Sequence, residues 1–97
     1  MAQAYAKSKM KDYKWSDNDF NALVNLWNAE SGWNVRAGNP KKAYGIPQAY
    51  PGNKMASCGS DWMTNYETQI NWGLIYIRDR YKNPSNAWEH FKNNNWY

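Results

Sequence analysis

The chain has 97 residues, a formal net charge of +4, seven Trp, eight Tyr, one Cys and one His. That length admits one hydrophobic core rather than two. Lone Cys58 and lone His90 exclude an intramolecular disulfide and a cysteine zinc site, and leave a Ser-His-Asp triad little to work with.

Residues 2–13 predict a helix, with Ala6, Met10 and Tyr13 at i, i+4 and i+7. Lys7, Lys9, Lys11 and Lys14 against Asp12 place +3 of the net charge in residues 1–14. Such a stretch is either a basic helix packed on or flanking the core, or an arm for a polyanion. Ser16 and Asp17 are N-cap candidates for a second helix, and Asp17 and Asp19 suit its positive end. Phe20, Leu23, Val24 and Trp27 then form one apolar face.

Between Gly32 and Gly59 the pattern breaks up around Pro40, Gly45, Pro47, Pro51 and Gly52, with one or two helical turns expected over 52–57. An irregular segment this long in a small domain usually carries function. Thr64 and Glu67 have capping-box spacing, opening a helix that runs to about Lys82 with Ile70, Gly73, Leu74 and Ile77 inward. Gly73 within it predicts close contact with another helix, since glycine there costs helix propensity. Asn83-Pro84 begins a last helix, and Trp96-Tyr97 are expected to pack back on the domain. The sum is a small all-α domain over residues 1–97.

Glu30 is the residue that fits this pattern worst as a scaffold. It ends the second helix, where the carbonyl dipole favours cations, and it lies between Trp27 and Trp33 on the inward stripe. A carboxyl so placed should have a raised pKa, as a general acid requires. The aromatic residues divide by location. Trp27, Trp72 and Trp88 lie on helical stripes and read as core; Tyr44, Tyr50 and Trp62 lie in irregular segments and read as exposed rings.

Four segments in order, Leu26 to Asn34 (LWNAESGWN), Ala43 to Ala49 (AYGIPQA), Pro51 to Met55 (PGNKM) and Trp96-Tyr97, resemble the lytic transglycosylase and lysozyme-like superfamily. The nearer likeness is to the soluble lytic-transglycosylase-like domains of Gram-positive bacteria and their phages. The resemblance implies a lysozyme-like helical domain whose long irregular loop forms a groove for peptidoglycan glycan strands. It makes Glu30 the single catalytic acid and base. It assigns substrate contacts to Ser31, to the loop residues Tyr44, Gly45, Ile46 and Gln48, to Tyr76 of the long helix and to Trp88 of the last helix, with Tyr44, Tyr50 and Trp62 as rings for sugar stacking. Many relatives carry an Ala-Tyr-Asn stretch in the last helix. Here Ala87-Trp88-Glu89 puts Trp88 at that position, so the tyrosine hydrogen bond is absent or supplied elsewhere. Lys14 stands where relatives often have a glycine before Trp15.

The implied reaction is cleavage of the MurNAc–GlcNAc β-1,4 bond with a 1,6-anhydro-MurNAc product, a lyase outcome needing no cofactor and no metal. The alternatives are a hydrolytic muramidase, which would need a second carboxylate, and a cell-wall-binding module without activity. Asp61 is the one candidate second acid, although a role in holding its own loop suits it better. No nucleic-acid partner is expected, and no membrane span, because no apolar run is long enough. No signal-peptide pattern follows Met1. The expected setting is therefore the cell wall, a phage virion or a lysis protein, reached as a module of a larger protein or by another export route.

Overall fold

Helix α1 spans Ala2–Tyr13 in the computed structural model, which describes residues 1–97. Fully buried Ala6 and largely buried Met10 seat it against the helices that follow, so the basic segment is a packed helix with its lysines outward rather than a free arm. It stops at Lys14, whose φ of 59° is left-handed and costs a non-glycine residue about 1 kcal/mol. Glycine adopts that conformation freely. Trp15 then stacks on Tyr13 at 4.4 Å and donates its indole N–H to the Lys82 carbonyl at 3.0 Å.

Helix α2, Asp17–Ser31, opens on a reciprocal capping box between Ser16 and Asp19 and closes at Gly32 in the left-handed conformation. The Asp19 carboxylate also accepts from the Ser85 hydroxyl at 2.6 Å, pinning the start of α2 to the start of the last helix. Helix α3 runs Tyr66–Tyr81 and α4 runs Pro84–Asn94, with Asn83 capping α4 and Pro84 at its first position. A 3-10 segment covers Gly52–Cys58, where one or two turns are expected. No strand forms; the irregular segment has only two isolated bridges, Gly38 with Tyr44 and Tyr44 with Ala49. The fold is all-α.

The cap of α3 differs from the sequence expectation. Asn65, not Thr64, is the N-cap: its side-chain oxygen accepts from the Glu67 amide at 2.9 Å. Asn65 prevails because its amide N–H donates to Asp61 at 2.8 Å, while Thr68 donates to the same carboxylate at 2.6 Å. Thr64 turns back toward the Asp61 carbonyl.

Leu23, Leu26 and Trp27 of α2 meet Ile70, Leu74 and Ile77 of α3, with Ala87 of α4 and Ile46 of the irregular segment completing the core. Each large apolar side chain fully buried there contributes about 1.5–3 kcal/mol. Gly73 allows the close approach its position predicts: a Cβ there would lie 2.5 Å from Cζ2 of Trp27.

Candidate functional site

The irregular segment is shaped by side chains that satisfy its backbone. Gln69 of α3 is fully buried; its Oε1 accepts from the Ile46 amide at 2.9 Å, and its Nε2 donates to the Val35 and Trp62 carbonyls at 2.9 and 2.8 Å. One amide therefore holds two points of a loop that has no ladder of its own, and ties them to the turn before α3. Gly45 must be glycine here, since its φ is 79° and a Cβ would lie 2.6 Å from the Gln69 Oε1. Ser31 adds a tether by donating to the Ile46 carbonyl at 2.7 Å, while its oxygen accepts from the Trp33 amide. Gln48, at φ 55°, donates to the Ala37 and Gly45 carbonyls.

This loop forms one wall of a cleft of about 340 Å³ with Glu30 in it. Pro47, Gln48, Ala49 and Tyr50 line the loop side, and Lys54 enters from the 3-10 segment. A row on α3, Trp72, Tyr76 and Arg80 at i, i+4 and i+8, also lines the cleft. Trp72 and Tyr76 stack at 5.2 Å with 18° between their planes. Asn95, Trp96 and Tyr97 close the end. A wider hollow of about 670 Å³ between α1 and α3, around Tyr13 and Arg78, has only the exposed Asp12 as its acid.

Glu30 is the one carboxyl among the side chains lining the cleft. No basic residue occupies the last turn of α2, and Glu30 forms no ion pair. Burial, with no charge or hydrogen bond to offset it, pushes its carboxyl up to about 7. Half-buried and facing the cleft, it can hold a proton near neutral pH and present it to a bound ligand. Burial also raises the Tyr76 and Tyr97 phenols, so both stay neutral. Tyr97 knits the site together. Its hydroxyl accepts from the Trp27 indole at 2.9 Å and donates to the Pro47 carbonyl at 2.8 Å, and its own carbonyl accepts from the Tyr76 hydroxyl at 2.7 Å.

Of the residues predicted from sequence, Glu30, Gln48, Tyr50 and Tyr76 come together in this cleft. Ser31, Gly45 and Ile46 lie behind it and hold the loop to α2 and α3. Tyr44 is not an exposed stacking ring. It is 5% exposed, its hydroxyl donates to the Met63 carbonyl at 2.8 Å, and Trp62 packs edge-on against it in a small cluster with Ala49 and Met55. The two bridges of Tyr44 turn that ring inward. Trp88 lies on α4, stacked on Phe91 and packed against the core, outside the cleft lining. Trp72 is half-buried and lines the cleft, contrary to its assignment to the core. The sequence reading missed Lys54, Arg80, Trp96 and Tyr97 as well. The spacing of Trp72, Tyr76 and Arg80 could have found the α3 row.

Asp61 serves its own loop. Hydrogen bonds from Thr68 and Asn65 hold its carboxyl below the usual aspartate range, and it does not line the cleft. No group of three or more His, Cys, Asp and Glu side chains converges anywhere in the chain. No helix is long and apolar enough to cross a membrane. Comparison with protein families, with characterised proteins and with solved structures returns no match to this chain.

Proposed function

We propose that the Glu30 cleft is the active site of a lytic transglycosylase that cuts peptidoglycan at the MurNAc–GlcNAc β-1,4 bond. The observation that carries this reading is a solitary carboxyl, raised to about 7 by burial, in a cleft walled by stacked aromatic rings. A sugar ring presents an apolar face that suits an aromatic lining, and Tyr50 in that lining is 67% exposed.

In this mechanism protonated Glu30 donates to the oxygen joining the two sugars as the C1–O bond breaks. The carboxylate left behind takes the proton of the muramoyl C6 hydroxyl, whose oxygen bonds to C1. Glu30 ends reprotonated, and the product has a 1,6-anhydro end with no water consumed. One carboxyl suffices because the nucleophile belongs to the substrate. The neutral Tyr97 hydroxyl, bonded to the Trp27 indole and the Pro47 carbonyl, ties the turn of α2 before Glu30 to the cleft loop without adding charge.

Ordinary hydrolytic glycosidases use a second carboxylate at roughly 5–9 Å to activate water or form a covalent intermediate. The commitment of Asp61 to Thr68 and Asn65 disfavours it for that part. Digestion of purified peptidoglycan by the wild type and by Glu30→Gln, read by mass spectrometry, tests the reading. Anhydro ends from the wild type, falling by about 10²-fold or more in the variant, are expected. Reducing ends alone would make the protein a muramidase, and equal, negligible release by both proteins would leave a glycan-binding module.

A further inference from the structure

Lys54 and Arg80 line the Glu30 cleft without an acidic partner. The chain has two ion pairs, Arg78–Asp79 and Lys92–Glu89, and neither involves them. Asp79, the acid beside Arg80 in sequence, is taken by Arg78 at 3.0 Å. Glu30 does not neutralise the two cations either, because burial keeps its carboxyl protonated up to about pH 7. The cleft thus holds two positive charges and, below that pH, no negative side chain.

The arginine is held in place. Its guanidinium lies over the Tyr76 ring at 5.4 Å from the centroid, and Tyr76 is itself fixed by its stack on Trp72 and its hydrogen bond to the Tyr97 carbonyl. From that position the guanidinium N–H groups can reach a carboxylate in the cleft. Lys54 of the 3-10 segment adds a second positive charge to the lining. Two cations lining one cleft give it a positive potential that attracts an anion. A strand of unmodified N-acetylglucosamine is neutral and offers none. A muramoyl residue does, on its lactyl arm.

We propose that Lys54 and Arg80 form a subsite for a carboxylate carried on the lactyl arm of the muramoyl residue, selecting charged strands over neutral ones. The proposal rests on the transglycosylase reading of the same cleft. The carboxylate has two sources: the lactyl group itself where the stem peptide has been removed, or the peptide's own carboxylates where the lactyl group is amide-linked.

The test uses the Glu30→Gln protein, which binds without cutting, titrated calorimetrically with three soluble muramoyl oligosaccharides. One has free lactyl carboxylates, one has them converted to neutral methyl amides, and one bears stem peptides. The carboxylate strands are expected to bind about tenfold or more tighter than the methyl amide, with the preference shrinking as salt rises. Tight binding of the free-lactyl strand assigns the subsite to the lactyl group; tight binding of the peptide-bearing strand alone assigns it to the peptide. Adding Lys54→Gln and Arg80→Gln, both at exposed side chains, should collapse the ratio toward one. Equal affinity for charged and neutralised strands, or a preference that survives both substitutions, overturns the subsite. Wild-type digestion of peptidoglycan is run beside it. Cleavage without charge preference removes only the subsite, whereas failure to cleave removes the transglycosylase reading itself.

Discussion

The Trp27 indole N–H donates to the Tyr97 hydroxyl over 2.9 Å, joining the fully buried ring of α2 one turn before Glu30 to a residue 70 positions later. The same hydroxyl donates to the carbonyl of fully buried Pro47 in the cleft wall. Helix α2 and the loop are therefore registered to each other through one phenol. Tyr97→Phe keeps the ring and leaves a buried donor and a buried acceptor unpaired. It is expected to lower stability by about 1–3 kcal/mol, read as a drop in the urea midpoint with an unchanged slope. An unchanged midpoint would mean that water or another group takes both partners.

Gln69 makes the stronger claim on the loop. Its amide satisfies the Ile46 N–H and the Val35 and Trp62 carbonyls from a fully buried position. Gln69→Leu is close in volume but orphans all three groups, each worth about 1–3 kcal/mol if it stays dry. A loss of more than about 3 kcal/mol in urea unfolding is expected. Gln69→Glu keeps the acceptor for Ile46 and sets oxygens against two carbonyls, so it should also be destabilised, and more so at high pH than at low pH. A mild effect in both variants would show that the loop is held by something else.

Much of the fold was legible because helices advertise themselves at short range. The stripe from Phe20 to Trp27, the capping serine, the stop at Gly32 and Asn83-Pro84 all depend on neighbours within one or two turns, and each appears where its pattern places it. Glu30 was legible for the same reason: an acid at a carbonyl end is a local anomaly. The loop was not. Tyr44 was expected outside and is inside because bridges to Gly38 and Ala49 set its direction, and no periodicity encodes those. Tyr97 and Gln69 act across 70 and up to 34 residues, where only the folded chain shows the partner. Thr64 lost the cap to Asn65 through a side-chain competition over Asp61 that spacing alone does not weigh.

Gly73 sets two effects against each other. Alanine gains about 1 kcal/mol of intrinsic helix propensity over glycine. Its methyl group, however, would lie 2.5 Å from Trp27 Cζ2 and 3.1 Å from Pro47 Cβ. Trp27 cannot swing aside cheaply, since its N–H is held by Tyr97 and its ring meets Trp33 edge-on at 5.1 Å. Overpacking of this kind costs about 1–3 kcal/mol and should prevail. Gly73→Ala is expected to lower the thermal midpoint; a rise would show that α2 and α3 separate with little resistance.

Glu30 links activity and stability to pH with opposite partners but one cause. Burial lifts its carboxyl from the ordinary 4.5 to about 7, so between those values the folded protein holds a proton that the unfolded chain has released. The native state binds more protons in this window, and stability therefore falls as pH rises through it. Glu30→Gln has no such proton to lose. Urea midpoints of the two proteins should lie together near pH 4 and separate progressively up to about pH 7, with the variant the more stable at pH 8. Other carboxylates titrate alike in both proteins and drop out of the difference. The wild-type cleavage rate should follow the protonated fraction, falling about tenfold per unit above the folded pKa. Midpoints that run parallel from pH 4 to 8 would show that Glu30 ionises normally, and the acid of the proposed reaction would then have to be sought elsewhere.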